Sequence, residues 1–318
     1  MRPFSFRLGR IPVTVLPAFF AVALGLGLGV LASGPSFIIA WMAIVFVSVL
    51  VHELGHATVG MAFGLEPRIA LHWMGGTTSW APHERPLATW QRIAISLAGP
   101  CAGFLTAAVI YFVIGRTSLP GTALGAFVYG QALYVNVNWG ILNLVPMLPL
   151  DGGNVMAHAL NGLTKGRGER PALIVSIAVA ALLVPVAVVY RSWWGGALAF
   201  SFAASNWNKL KLLDAREHDE PMRESLQLAH QALDQKDSAH AIELARPVAL
   251  DAKTPEFRAE ALHVLALGFL LENRVADADA AIAALPEGYH PDPALVAMRA
   301  NASPANLHHD MTRSPSGT

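Results

Sequence analysis

His52 and His56 stand four residues apart in the run His52-Glu53-Leu54-Gly55-His56. On a helix that spacing stacks two imidazoles on one face, one turn apart, where both can bind a single metal ion. Glu53 sits beside them and can take a proton from a water at that metal, which is the pattern of a metal-dependent hydrolytic site. The surroundings sharpen this reading. From Ile11 to Phe63 Glu53 is the only carboxylate, and the chain around it is apolar. Ionisable groups in such a run cost several kcal/mol and are functional suspects by default.

A catalytic site of this type takes three protein ligands and keeps one position open. From Ile93 to Leu163 the only carboxylate is Asp151, so elimination selects it as the third ligand. It lies in Asn143-Leu144-Val145-Pro146-Met147-Leu148-Pro149-Leu150-Asp151-Gly152-Gly153. The prolines unwind the chain ahead of Asp151, and the glycines let backbone approach closely. Asp151 can also be read as the N-cap of a helix over 152–163, and one oxygen can serve each purpose. Two imidazoles and one carboxylate suit zinc, one ion per chain.

These two motifs, in this order, closely resemble those of the site-2 protease family of intramembrane metalloproteases. Ser96-Leu97-Ala98-Gly99-Pro100 in the intervening segment is similar to that family as well. The resemblance covers about residues 36–163. It implies His52, His56 and Asp151 as zinc ligands, Glu53 as catalytic base, and Asn143 as a group that helps hold the substrate or the developing oxyanion. It also implies a membrane-protein substrate with a single span and a role in regulated proteolysis. The sequence differs from some members in showing no PDZ-like insert between the spans.

The expected fold is mainly α: a polytopic membrane protein of about six spans. Hydrophobic residues are 54% of the chain and charged residues 14%, against about 25% charge in a soluble domain. Apolar segments fall at about 11–32, 36–63, 91–115, 122–146, 171–190 and 193–208, the first four long enough for a bilayer span of about 20 residues and the last two short. The last two can also be a re-entrant pair, and the first, behind Arg2, Arg7 and Arg10, can be a cleavable signal; an uncleaved span is the reading adopted. With the N-terminus in the cytoplasm, Arg68, Arg85, Arg92, Lys165, Arg167, Arg170, Lys209 and Lys211 also lie inside, and only Arg116 and Arg191 outside. His52 then sits 16 residues past Ser36, roughly 24 Å into a core of about 30 Å, toward the cytoplasmic side.

Between the second and third spans, Ile69 to Trp80 reads as a small β-hairpin around Gly75 and Gly76. Its strand edge could bind an extended substrate by strand addition, which makes Gly75 and Gly76 candidate substrate contacts. His72 and His83 read as solvated or interfacial, and His158 as a packing residue. The single cysteine, Cys101, excludes an internal disulfide framework and reads as a small packing residue. The net charge of zero gives no attraction to nucleic acid.

Residues 209–301 are charged and alanine-rich. Two helical hairpins near 222–250 and 257–285 resemble tetratricopeptide repeats, with a spacing nearer 37 than the usual period of about 34; a plain hairpin bundle fits equally. This region is expected in the cytoplasm as a site for a protein partner, and 302–318 is expected to be disordered. The domains are thus 1–208, 209–301 and the tail. Other expected partners are a transmembrane substrate and membrane lipid, in a multi-pass protein of the cell membrane. Two readings compete with the peptidase. A non-proteolytic membrane scaffold would need no intramembrane base, and a metal-ion transporter would spread polar residues over several spans where only one cluster exists.

Overall fold

A computed structural model describes residues 3–82 and 86–302. Arg2, His83, Arg85 and all of the expected disordered tail except Ala302 lie outside the described residues. The chain forms two compact units, Met1–Trp207 and Asn208–Thr318.

The first unit opens with a hairpin, β1 (Phe4–Leu8) and β2 (Ile11–Val15). Helix α1 (Pro17–Leu26), a 3-10 turn (Leu28–Ser33) and helix α2 (Pro35–Ala62) lead to a second hairpin, β3 (Pro67–His72) and β4 (Gly75–Trp80). The strands form one sheet in the order β1-β2-β3-β4, with β2 parallel to β3 and Val13 beside Ile69. The expected hairpin is therefore half of a four-stranded sheet. Its turn is Trp73–Met74, and Gly75 and Gly76 are the first residues of β4. Val13, Val15, Ile69 and Leu71 are all buried at alternate positions, which fixes the register.

Two parallel neighbours need a connection that leaves the sheet and comes back. Helix α1 and the 3-10 turn lead out, and α2, about 42 Å long, returns. The Trp41 indole N–H donates to the Ala23 carbonyl at 2.8 Å, and Phe19 meets Phe46 at 6.3 Å between centroids, so the two paths run alongside each other. The first expected span, 11–32, is corrected here: it is a strand, a ten-residue helix and a 3-10 turn. Gly25, Gly27 and Gly29 each disfavour helix by about 1 kcal/mol relative to alanine. At Gly27 the Trp41 ring occupies the place of a side chain, 2.4 Å from where Cβ would stand.

Helices α3 (Thr89–Phe112), α4 (Ala123–Asn143), α5 (Asp151–Leu163), α6 (Glu169–Val189) and α7 (Trp193–Asp219) follow. Six spans were expected. Among the described residues, three helical stretches are long and apolar enough to cross a membrane: Pro35–Ala62, Thr89–Arg116 and Glu169–Val189. Helix α4 has 21 residues, but Gln131, Asn136 and Asn138 interrupt its apolar run. Cys101 is exposed on α3 rather than packed.

The second unit holds α8 (Arg223–Asp234), α9 (Ser238–Asp251), α10 (Pro255–Leu271), α11 (Val275–Ala283) and α12 (Pro293–Asn301). Helices α8 with α9, and α10 with α11, form consecutive hairpins. Their turns match, with Lys236 and Asn273 both at positive φ. The core is built from small residues such as Ala229, Ala241, Ala245 and Ala266 around Leu265 and Phe269.

Candidate metal centre

Helix α2 carries His52, Glu53 and His56, all buried at 3%, 4% and 7% exposure. The two imidazoles face each other, Nε2 to Nε2, at 3.2 Å. Asp151 comes to them from the far end of an interrupted segment: Oδ2 lies 3.0 Å from His52 Nε2 and Oδ1 3.3 Å from His56 Nε2. Asp151 is not an N-cap. It is the first residue of α5, Leu150 holds the cap position without a side-chain bond, and the carboxylate turns to the histidines. An anion at the start of a helix also has the helix dipole in its favour.

Leu144–Leu150 is held by two later helices. The Leu148 N–H donates to Ser176 Oγ on α6 at 3.0 Å. The Asn206 amide on α7 donates to the Leu148 carbonyl at 2.7 Å. Gly152 and Gly153 let α5 begin against this loop, because a Cβ at either would stand 2.2–2.4 Å from backbone atoms of Leu144, Met147 or Leu148.

The donor set fits a metal ion. The ligand atoms of His52, His56 and Asp151 lie within 4.8 Å of one another. His56 Nδ1 is 2.7 Å from the Ile95 carbonyl, which accepts its proton and leaves the Nε2 lone pair free to coordinate. Space in front of the nitrogens is kept by Gly99 on α3: a Cβ there would lie 2.2 Å from His56 Nε2 and 2.7 Å from His52 Nε2. Behind His52, the Asn136 amide donates to Ser48 Oγ at 2.9 Å, and Trp139 meets the His52 ring edge-on at 6.5 Å.

Glu53 projects from the same helix toward β4. Thr78 Oγ1 donates to Glu53 Oε2 at 2.7 Å. Gly76 lies directly against the carboxylate, and Gly75 against Trp139. Asn143 is the last residue of α4, 9% exposed, and one amide N–H is spent on the Trp139 carbonyl at 2.9 Å. All these residues line one open cavity of about 900 Å³, whose apolar wall includes Trp41, Trp139 and Trp194. His72 and His158 line it outside the metal cluster, and His72 also bonds the Thr77 hydroxyl.

The sequence reading missed Thr78, Ile95, Ser176 and Asn206. Each acts across a long chain separation through an ordinary hydroxyl, amide or carbonyl, and no local spacing marks it. Gly99 was noticed only as part of a familiar motif.

Part of this centre falls in a stretch similar to known proteins. Residues 40–131 match the model of Peptidase family M50. Over 134 residues the chain is 34% identical to a candidate zinc metalloprotease of Synechocystis, covering 42% of this chain and 34% of that protein. Over 126 residues it is 31% identical to a zinc metalloprotease of Methanocaldococcus jannaschii, covering 37% and 33%. The chain thus spans about a third of the length of these relatives. It also overlays on the site-2 protease of Methanocaldococcus jannaschii with a TM-score of 0.49 and 22% identity, covering 66% of this chain and 95% of that one. The stretch that resembles Peptidase family M50 includes His52, Glu53 and His56 and the glycine that leaves them room, Gly99.

Proposed function

We propose that this chain is an intramembrane zinc peptidase that hydrolyses peptide bonds in or near the transmembrane segment of membrane-protein substrates. The observation that carries the proposal is the convergence of His52, His56 and Asp151 beside the buried carboxylate of Glu53. A scaffold has no use for a buried base beside a metal-ligand cluster.

Zinc, one per chain, would supply Lewis acidity and lower the pKa of the attacking water. His52, His56 and Asp151 would hold it. Glu53 accepts the proton from that water and returns it to the leaving amine. Asn143 retains an amide N–H to donate to the oxygen that gains charge at the scissile carbonyl. The substrate enters the cavity unwound, because a helix shields its own peptide bonds. β4 is an edge strand of the sheet, so an extended segment can pair with it beside Gly75 and Gly76.

The protein sits in the cell membrane with its N-terminus and residues 209–301 in the cytoplasm. The two hairpins act there as a tetratricopeptide-like site for a protein partner, and the released fragment serves signalling. A direct test is reconstitution in liposomes with single-span substrates. Glu53→Gln should lower kcat by about 10²- to 10⁴-fold, while full cleavage by that variant would refute the scheme.

A further inference from the structure

The base is held from outside its own helix. Residues 76 and 78 of β4 share one face of the strand, and both meet Glu53. Thr78 Oγ1 donates to Oε2 at 2.7 Å and also lies 3.2 Å from the Glu53 backbone carbonyl, so the hydroxyl spans the side chain and main chain of the same residue. A Cβ at Gly76 would stand 2.4 Å from Oε1 and 2.5 Å from Cγ. One carboxylate oxygen is therefore tethered, and the other faces a place that only glycine leaves open.

Gly75 takes φ 118°, a region that favours glycine, and a Cβ there would reach to 2.7 Å from the Trp139 ring. These close approaches seat the strand between α2 and α4. Thr78 belongs to that strand, whose outer edge has no strand partner among the described residues.

We propose that Thr78 is a positioning residue for Glu53, and that Gly76 keeps the space before Oε1 clear for the proton transfer. This rests on the peptidase reading above. The hydroxyl fixes Oε2 so that Oε1 is the oxygen that takes the proton. Because the tether lies on the edge strand, an extended peptide that pairs with β4 meets a base already aimed: its backbone lies about 4.8 Å from β4, one strand spacing away. Displacing a reacting group by about 1 Å can cost on the order of 100-fold in rate, so the loss should appear in kcat rather than KM.

The test uses the full-length, zinc-loaded chain in detergent and in liposomes, as Thr78→Val, Thr78→Ser and Gly76→Ala. Zinc content is measured first and should equal wild type in both Thr78 variants. The infrared carboxylate band of Glu53, identified by its loss in Glu53→Gln, should shift in Thr78→Val and return in Thr78→Ser. With internally quenched single-span peptides, Thr78→Val should lower kcat by about 10- to 100-fold with KM within a factor of about two, Thr78→Ser should recover most of it, and Gly76→Ala should be at least as impaired as Thr78→Val. An unmoved band in Thr78→Val, or a Thr78→Ser variant as impaired as Thr78→Val, overturns the proposal. If wild type cleaves no peptide, the peptidase reading falls, and the infrared band alone decides whether Thr78 positions Glu53.

Discussion

Gly99 stands where any side chain would enter the space that His56 points into: its Cβ would lie 2.2 Å from His56 Nε2. The two residues come from different helices, α3 and α2, so metal-binding capacity depends on a helix that supplies no ligand. Gly99→Ala should lower zinc affinity on the order of 100-fold or more, read by competition with a chelator. Gly103→Ala serves as the control: on the same helix its Cβ would meet only the Asn136 carbonyl, at 3.3 Å, and its zinc affinity should stay near wild type.

Gly55 lies where α2 packs tightly against α3. Its Cβ would lie 2.4 Å from the Ala98 carbonyl and 2.8 Å from Ala102 Cβ. Small residues let membrane helices pack backbone to backbone. Gly55→Ala should therefore push the helices apart and destabilise the fold by roughly 1–3 kcal/mol, seen as a lower thermal midpoint in detergent.

The loop before Asp151 is pinned at Leu148 by Ser176 and Asn206. Ser176→Ala and Asn206→Leu leave all three ligands in place but release that loop. Each should weaken zinc binding by about 10- to 100-fold, the usual cost of removing a group that orients a ligand. Unchanged affinity in both would mean that α5 alone fixes Asp151.

At the end of α7, Asp219 accepts from the Lys253 N–H at 2.8 Å, the Thr254 N–H at 2.8 Å and the Thr254 hydroxyl at 2.5 Å, tying down the start of α10. Burial pushes this carboxyl up, but the hydrogen bonds together outweigh it and hold its pKa below the ordinary value. The folded state thus binds the Asp219 proton less readily than the unfolded state. This contribution is complete above the unfolded pKa of about 3.9 and is lost as pH falls below it, through the depressed folded value. At neutral pH Asp219→Asn should cost roughly 2 kcal/mol. Urea-dependent proteolysis of the full chain, followed at sites in α9 and α10, measures it.

The site was more legible in the sequence than the fold around it. His52, Glu53 and His56 announce themselves by helical spacing, and Asp151 by being the one carboxylate in a long apolar stretch. Thr78 is one hydroxyl among several in its hairpin, and only the folded strand shows which one meets the base. Residues 11–32 do not form the expected single span, because an apolar run scores alike whether it holds one helix or several elements. The strand signature was present: Ile11, Val13 and Val15 alternate with Pro12 and Thr14, and the odd positions are the buried ones. Asn136 and Asn138 hid the length of α4 from no one, yet they lower its apolarity below that of α2, α3 and α6.

The most direct test of the central claim is the zinc content of the purified full-length protein and its His56→Ala, Asp151→Ala and Glu53→Gln variants. The account predicts one zinc per chain in wild type and Glu53→Gln, and loss of stoichiometric zinc in His56→Ala and Asp151→Ala. Folded wild type without stoichiometric metal, or Asp151→Ala with its zinc intact, would contradict it.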